Sequence, residues 1–239
     1  MITGAAGEIG HALIDRLSES GSELATLDLE PLDASLRTRV SRVYTGSILD
    51  HELLETIQSD CAVDCIYHLA ALLSTQSEFS PVVAHEVNVT GTLNLLEFAM
   101  SQARDHDRSV MFFYPSSIAV YGTPADFGDQ PVNELEYSVP RTMYGSNKLY
   151  CEHLGHYYAT YYKQLGTEVH ANLVDFRSIR FPGLISALTI STGLTSISAD
   201  RSATDIAAGT SMLGVSTLLV LLTRLVILLS RYSFWKRFK

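Results

Sequence analysis

Short apolar runs alternate along the chain with segments that have the period of a helix. Each apolar run has the length and composition of a buried parallel strand, and the strand candidates are 24–29, about 40–45, 65–70, 109–117 and 174–181. Helical periodicity marks 9–18, a segment from residue 50, 82–103 and 143–163. Strands and helices that alternate in this way predict βαβ units and an α/β fold with a doubly wound parallel sheet.

A glycine-rich loop opens the chain. The stretch "TGAAGEIG" places Gly4, Gly7 and Gly10 at the spacing of a dinucleotide-binding loop, in which the backbone approaches a pyrophosphate at a helix N-terminus. Asp28 ends the next predicted strand, where an acid binds the adenosine ribose hydroxyls and disfavours the 2′-phosphate of NADP. The loop and the acid together predict a Rossmann-like fold with NAD as the cofactor.

A tyrosine and a lysine, Tyr144 and Lys148, lie four residues apart in "TMYGSNK" and therefore share one face of a predicted helix. A free phenol has a pKa near 10 and is a poor base at neutral pH. An ammonium at about 4 Å contributes roughly 4 kcal/mol at an effective dielectric of ~20, or about three pKa units as an upper value. We therefore expect Lys148 to lower the pKa of the Tyr144 phenol. A second such pair, Tyr232 and Lys236, follows no strand-end serine and is expected to be coincidental.

Five motifs, in this order, resemble those of the extended short-chain dehydrogenase/reductase family: "TGAAGEIG", "YHLAALLS", "NVTGTLNLLEFA", "PSSIAVYG" and "TMYGSNK". The resemblance covers residues 1 to about 187. Within the family, "HLAALLS", "RTMYGSNK" and "RFPGLIS" are similar to the short-chain type of L-threonine 3-dehydrogenase. UDP-sugar 4-epimerases share the first motifs but usually carry an Asn-x-Tyr-Gly-Pro-like segment in place of "RFPGLIS". The resemblance also implies a homodimer through 82–103 and 143–163.

The resemblance further implies roles for single residues. Tyr144 matches the family's catalytic base, Lys148 its partner, and Ser117 the serine that hydrogen-bonds the reacting oxygen. The residues implied in cofactor binding are Gly4, Gly7, Glu8, Ile9, Gly10, Asp28, Ser47, Ile48, Ala70, Ala71, Leu72, Asn88, Tyr144, Lys148 and Phe181. Candidates for substrate contact are Ser74, Ser117 and Gly183, and no metal site is predicted. His68, at the end of a predicted strand, is expected to be a core residue with satisfied hydrogen bonds.

Composition agrees with a folded, acidic protein. Apolar residues make up 46% of the chain and charged residues 18%, enough to bury a core. The formal net charge of -9 argues against nucleic acid as the main partner. The start of the chain resembles no secretory signal, and Cys61, Cys65 and Cys151 have no metal spacing, so we expect free thiols and a cytoplasmic location. The first strand has three residues before the loop, so it is either short or begins before this sequence.

The last fifth of the chain has a different character. Basic residues outnumber acidic ones from residue 201 onwards, and an apolar run, 212–230, precedes a basic end. We therefore divide the chain into an NAD-binding domain with the catalytic residues, 1–187, and a truncated or atypical remnant of a substrate lobe, 188–239. A changed reading frame near residue 190, a buried helix and a membrane anchor all remain open for this remnant. The loss of pattern and the reversal of charge favour the first. Arg224 within the apolar run argues against the third, so we expect no membrane association.

Three functions follow from these observations. The leading hypothesis is an NAD-dependent oxidoreductase, similar to L-threonine 3-dehydrogenase, that oxidises a secondary alcohol of a small molecule by a Ser/Tyr/Lys mechanism. Such a reaction needs a base within hydrogen-bond reach of the hydroxyl that loses its proton. The alternatives are an NAD-dependent nucleotide-sugar epimerase/dehydratase and a truncated, non-catalytic NAD-binding fragment.

Overall fold

Six parallel strands form the sheet at the centre of the computed structural model, which describes residues 1–123, 132–161 and 173–181. The strands are β1 (Ile2–Thr3), β2 (Ala25–Asp28), β3 (Arg42–Thr45), β4 (Cys65–His68), β5 (Val110–Ser117) and β6 (Val174–Phe181). Their order across the sheet is β3-β2-β1-β4-β5-β6. This is the strand order of the dinucleotide-binding doubly wound fold, and the predicted α/β class is confirmed.

Seven α-helices accompany the strands in the described part of the chain. They are α1 (Glu8–Glu19), α2 (Ala34–Arg37), α3 (His51–Asp60), α4 (Ser74–Phe79), α5 (Pro81–His85), α6 (Gly91–Asp105) and α7 (Met143–Thr160). A single π-helical turn, Glu86–Thr90, joins α5 to α6, and a 3-10 turn, Ile118–Val120, follows β5. The helix predicted over 82–103 is therefore confirmed, and the π-helical turn is a widened turn within it.

The core fills the space between the sheet and its helices. Ile66 of β4 and Phe112 of β5 are fully buried, as are Leu95 and Leu96 of α6. Strands of a parallel sheet are covered on both faces, which explains why β4 and β5 appear in the sequence as continuous apolar runs. This arrangement positions the carboxyl ends of all six strands along one edge of the sheet, where the connecting loops begin.

The sequence pattern missed the short helix α4. Its residues, "STQSEF", show no apolar stripe, and its one large apolar side chain, Phe79, is 83% exposed. Contacts with the rest of the fold maintain α4 instead, because Ser77 is buried and its hydroxyl donates to the carbonyl oxygen of Leu72 at 3.1 Å. A helix stabilised in this way leaves no periodic signal in the sequence.

The described residues belong to one compact unit that extends from Met1 to Pro182. The predicted boundary between 187 and 188, the apolar run 212–230 and the pair Tyr232 and Lys236 all lie outside the described residues. Within the described ranges, no helix is both long enough and apolar enough to span a membrane. The cysteines Cys61, Cys65 and Cys151 are free thiols.

Candidate active site

The candidate residues converge on the carboxyl edge of the sheet. The glycine loop follows β1, Asp28 ends β2, and Ser47 follows β3. Ala70 and its neighbours follow β4, and Ser117 and Phe181 end β5 and β6, where they are partners in the strand register. In a doubly wound fold the ligand crevice lies at this edge, next to the point where the strand order reverses. Gly183 lies outside the described residues.

The glycine loop is packed too closely for side chains. Gly4 has φ +69°, and a Cβ there would lie 2.6 Å from the backbone nitrogen of Ala70. A Cβ on Gly10 would lie 2.4 Å from the carbonyl oxygen of Ala5. The first helical bond of α1 runs from His11 N–H to Gly7 O at 3.0 Å, so the N–H groups of the first helical turn lack intrahelical acceptors. The loop is thus shaped as a cradle with backbone donors, which suits a phosphate.

Asp28 is anchored beside this loop by two backbone donors. One carboxylate oxygen accepts from Ala6 N–H at 2.9 Å and the other from Glu30 N–H at 3.0 Å. Each oxygen keeps a free lone pair for a further donor, such as a ribose hydroxyl. The contact from Ala6 explains how an acid at the end of β2 is aligned with a loop that follows β1.

Ser47 and Ile48 make local contacts in the loop after β3. The Ser47 hydroxyl accepts from Leu49 N–H at 3.1 Å. Ile48 is buried, its carbonyl oxygen accepts from the Asn94 side chain at 3.2 Å, and a Cβ on Gly91 would lie 2.4 Å from its Cδ1 atom. Gly91 thus allows α6 to pack directly on this loop.

Asn88 holds the turn after β4 from behind. Its Oδ1 atom accepts from Leu72 N–H at 2.7 Å, and its Nδ2 atom donates to Leu72 O at 3.1 Å. Asn88 lies in the π-helical turn and is 2% exposed. The Asn88 amide therefore fixes the backbone of the predicted cofactor turn, Ala70–Leu72. The π-helical turn orients the Asn88 side chain towards this backbone.

A buried hydrogen-bond chain connects this turn to the helices behind it. The Thr92 hydroxyl donates to the carbonyl oxygen of Asn88 at 2.6 Å, which uses its single proton. It therefore accepts from His68 Nε2 at 2.9 Å, so His68 carries its proton on Nε2. His68 Nδ1 then accepts from the Thr3 hydroxyl at 2.8 Å. Burial and, to a smaller extent, the charge of Lys148 lower the pKa of His68 to about 3, which keeps the ring neutral. His68 is the satisfied core residue that the sequence predicted.

The turn that carries Ser117 contacts the start of α7. The Ser117 hydroxyl accepts from Ala119 N–H at 3.1 Å, and its own proton has no acceptor among the hydrogen bonds of the described residues. A Cβ on Gly145 would lie 2.1 Å from the carbonyl oxygen of Ala119. Only glycine permits this approach, and it brings Tyr144 next to the Ser117 turn.

Lys148 is buried against β5, with 3% of its surface exposed. Its ammonium donates to the carbonyl oxygen of Pro115 at 2.8 Å and lies 4.5 Å from the centre of the Tyr114 ring. Burial lowers the pKa of Lys148 to about 8, although the neighbouring Cys151 and Glu152 act in the opposite direction. The carbonyl dipole and the ring face are the groups that solvate the charge in place of water.

The pKa of Tyr144 contradicts our expectation from the sequence. Burial raises the pKa of this phenol above its ordinary value, whereas we expected Lys148 to lower it. The Lys148 ammonium lies 5.5 Å from the centre of the Tyr144 ring, farther than from the Tyr114 ring, and its charge is itself desolvated. In the protein chain alone, the loss of water around the phenolate therefore outweighs the attraction of the cation.

Two contacts at the site, one of Glu78 and one between Arg180 and Glu152, were not predicted from the sequence. Glu78 of α4 accepts from the backbone N–H groups of Met143 and Tyr144 at 2.7 and 3.3 Å. Arg180 of β6 pairs with Glu152 of α7, with the closest contact at 2.7 Å, and its guanidinium lies 4.7 Å from the Tyr121 ring centre. Glu78 had no sequence signal, because 65 residues separate it from Met143. Glu152 had a weak sequence signal, because it lies four residues after Lys148 on the same helix face.

The sheet order, the glycine cradle and the acid at the end of β2 define a protein of the dinucleotide-binding class. A family model described as GDP-mannose 4,6 dehydratase matches residues 1–198, and the chain belongs to the extended short-chain dehydrogenase/reductase family of epimerases, dehydratases and dehydrogenases. The family resemblance predicted from the motifs is confirmed. An uncharacterized epimerase/dehydratase of Staphylococcus aureus (strain USA300) is 34% identical over 189 residues, which cover 78% of this chain and 53% of that protein. The chain thus spans about half the length of the curated relatives it matches.

Solved structures point in the same direction. A GalE-like L-threonine dehydrogenase from Cupriavidus necator is 31% identical with a TM-score of 0.61, over 77% of this chain and 55% of that one. A UDP-glucose 4-epimerase from Brucella ovis, solved with NAD, is 29% identical with a TM-score of 0.56, over 66% and 46%. The family and these neighbours are NAD-binding, which confirms the predicted cofactor class. Threonine dehydrogenases and UDP-glucose epimerases are both among the neighbours, so these similarities support both activities.

Proposed function

We propose that this chain is an NAD-dependent oxidoreductase that oxidises a secondary alcohol of a small molecule, of the L-threonine 3-dehydrogenase type. The observation that supports the proposal is the close approach of Gly145, the residue after Tyr144, to Ala119 in the turn that follows Ser117. Tyr144, Lys148 and Ser117 are the proposed catalytic residues.

The cradle fits the proposed cofactor. The close-packed glycines and the open N-terminus of α1 suit the pyrophosphate of NAD, and the lone pairs of Asp28 suit its adenosine ribose. The other residues of this proposed site are Gly4, Gly7, Glu8, Ile9, Gly10, Ser47, Ile48, Ala70, Ala71, Leu72, Asn88 and Phe181. When bound, NAD supplies the acceptor for the hydride that leaves the carbinol carbon. Asp28→Asn keeps an acceptor for Ala6 N–H but removes the charge that repels a 2′-phosphate. We expect it to reduce the preference for NAD over NADP by about tenfold in calorimetric titrations with each nucleotide.

The side chains of Ser117, Tyr144 and Lys148 orient the substrate hydroxyl and accept its proton. Ser117 offers its hydroxyl proton to the substrate oxygen, and Tyr144 accepts the proton that this oxygen loses. Tyr144 must lose its own proton to solvent before it can accept this one, and Lys148 stabilises the resulting phenolate by up to about 3 kcal/mol, for an ammonium 5.5 Å from the ring centre and an effective dielectric of ~20. Since burial raises the pKa of Tyr144, this attraction is needed to form the phenolate before the transfer.

A comparison of two tyrosines on α7 tests the proposal. Tyr144→Phe removes the proposed base, and Tyr150→Phe removes an exposed hydroxyl from the same helix. With NAD and L-threonine, we expect Tyr144→Phe to lower the rate of NADH formation by about 10²–10⁴-fold, while the Tyr150→Phe control turns over at the wild-type rate. Normal turnover by Tyr144→Phe would disprove this mechanism.

A nucleotide-sugar epimerase/dehydratase is the second candidate, which the similarity to UDP-glucose 4-epimerases supports. It predicts NAD that co-purifies with the chain and conversion of UDP-sugars without net NADH. A third candidate is a non-catalytic NAD-binding fragment, because the chain spans half of its relatives' length. Binding of NAD without turnover of any alcohol or UDP-sugar would favour it.

We further propose a homodimer formed through the helices of 82–103 and 143–163. Exposed apolar side chains on this part of the surface support it, among them Val82, Tyr150 and Tyr157. Sedimentation equilibrium of the full chain distinguishes a dimer from a monomer.

A further inference from the structure

The start of α7 has an unusual set of hydrogen-bond partners. The first N–H groups of an α-helix have no intrahelical acceptor and need partners from elsewhere. In α7, the Thr142 hydroxyl accepts from Gly145 N–H at 2.9 Å, which is an ordinary N-cap contact. The N–H groups of Met143 and Tyr144 instead donate to Glu78, a residue of α4. One carboxylate oxygen of Glu78 thus accepts from the two N–H groups that the N-cap side chain leaves without an acceptor.

The position of Glu78 on α4 adds a second constraint. Ser74, a candidate for substrate contact, begins α4, and Glu78 follows four residues later on the same helix face. Between them, Ser77 is buried and its hydroxyl donates to the carbonyl oxygen of Leu72 in the turn after β4. The short helix α4 is therefore attached at one point to the predicted cofactor turn and at another to the start of α7.

We propose that Glu78 is a positioning residue for Tyr144, which fixes the backbone of this tyrosine relative to Ser74 and the turn after β4. The proposal rests on the role of Tyr144 given above. A carboxylate is suited to this task because hydrogen bonds from N–H groups to a charged acceptor are stronger than those to a neutral one. Its negative charge also interacts favourably with the positive end of the helix dipole. Glu78 is exposed, so its contribution comes from these contacts and not from packing in the core.

Three variants of the full chain separate a positioning role from simple helix capping. Glu78→Ala removes the acceptor, Glu78→Gln keeps an oxygen acceptor without charge, and Glu55→Ala removes an exposed glutamate from α3 as the matched control. Amide hydrogen exchange of Met143 and Tyr144, measured by NMR, reports the contact directly. We expect Glu78→Ala to accelerate exchange at these two amides by about tenfold and to leave Gly145, which is bonded to Thr142, unchanged. Glu78→Gln should restore most of the protection, and Glu55→Ala should have no effect.

Turnover tests the functional half of the proposal. With NAD and L-threonine as probes, we expect Glu78→Ala to lower kcat by about tenfold or more, with the Kd of NAD unchanged and rescue by Glu78→Gln. Unchanged exchange at Met143 and Tyr144, an unchanged kcat, or an equal loss of NAD affinity would each overturn the proposal.

A readout that needs no turnover separates this proposal from the proposed function. The Tyr144 ring labelled with ¹³C at Cζ gives an NMR resonance that reports the surroundings of the phenol. We expect Glu78→Ala to shift this resonance and Glu78→Gln to restore it, whether or not the chain oxidises L-threonine. If the wild type turns over no alcohol but the shift and rescue are seen, the proposed function fails and the positioning role stands. A resonance that is the same in all variants refutes the positioning role.

Discussion

The ammonium of Lys148 donates a 2.8 Å hydrogen bond to the carbonyl oxygen of Pro115 in the interior of the protein. This contact anchors the lysine on β5, two residues before Ser117, which ends the strand. Burial nevertheless dominates its titration, because a carbonyl and an aromatic ring replace water only in part. The pKa of Lys148 is therefore lowered to about 8.

This lowered pKa predicts a pH-dependent stability. Below about pH 8 the folded and unfolded chains both hold the Lys148 proton, and the folded chain bears the full cost of the buried charge. Between about 8 and 10.5, the ordinary pKa of a lysine, the folded chain binds fewer protons than the unfolded chain, so stability rises with pH. Lys148→Met removes this dependence. We expect the free energies of unfolding of wild type and variant to change relative to each other by about 3 kcal/mol between neutral and strongly alkaline pH, in favour of the wild type.

Urea unfolding of both proteins at the two pH values measures this change, because groups common to both cancel in the difference. Parallel pH profiles for wild type and Lys148→Met would contradict it.

The hydrogen-bond chain through His68 predicts a neutral ring with its proton on Nε2. Since burial lowers the pKa of His68 to about 3, the unfolded chain gains a proton that the folded chain refuses as the pH falls below 6.5. Stability is therefore lost towards acid, at about 1 kcal/mol per pH unit between these values. We expect ¹⁵N NMR to show the Nε2-protonated ring without titration in the native pH range.

Two glutamine variants test the acid effect. His68→Gln should flatten the acid limb of the stability profile, whereas His51→Gln, at an exposed histidine of α3, should leave it as in the wild type. A His68 ring that titrates near neutral pH, or that carries its proton on Nδ1, would refute the assignment of the hydrogen-bond chain.

Close packing of α7 on the Ser117 turn predicts a large effect of a single methyl group. A Cβ at Gly145 would lie 2.1 Å from Ala119 O, so Gly145→Ala must displace α7 or the turn. We expect a loss of about 1–3 kcal/mol in the free energy of unfolding and a fall in kcat of about 10²-fold. Chemical denaturation and steady-state kinetics measure the two effects.

Gly155→Ala is the control for this variant, since a Cβ at Gly155 overlaps the Phe176 ring, at 2.1 Å, at the other end of α7. It should also lower stability but leave kcat nearly intact. An equal loss of kcat in both variants would show that the effect comes from the helix as a whole.

The pair of Arg180 and Glu152 should contribute more to stability than a surface ion pair. Its side chains are 18% and 15% exposed, and Arg180 also donates to Glu134 O at 2.8 Å. Arg180→Met leaves the Glu152 carboxylate largely desolvated without its partner, so we expect a loss of about 3 kcal/mol in the free energy of unfolding. Thermal and urea unfolding measure this loss.

Arg39 and Asp15 provide the matched comparison, with an N–O distance of 2.8 Å but side chains 48% and 49% exposed. Arg39→Met should cost under about 1 kcal/mol, because water screens that pair. The double variant Arg180→Met/Glu152→Met should recover much of the stability lost in Arg180→Met. Equal costs for Arg180→Met and Arg39→Met would contradict the prediction.

The sequence was a good guide wherever the determining interactions are local. Apolar runs covered on both faces predicted β4 and β5, and β6 was predicted with its observed bounds, 174–181. It missed α4, "STQSEF", because that helix has no apolar period and depends on contacts of Ser77 and Glu78 with distant segments. The glycines of the first loop could be predicted because a backbone that turns tightly and packs on a neighbour excludes side chains.

By itself, the sequence determined the order of the strands and the longer helices, the glycine loop with Asp28 at the end of the next strand, and a helix face shared by Tyr144 and Lys148. These features depend on residues near each other in the chain or on the fixed periods of helix and strand. Only the tertiary structure decided which groups surround Lys148, that burial raises the pKa of Tyr144, and that Glu78 closes the start of α7. Desolvation and capping across 65 residues depend on every element packed around a group, and no spacing in the sequence records them.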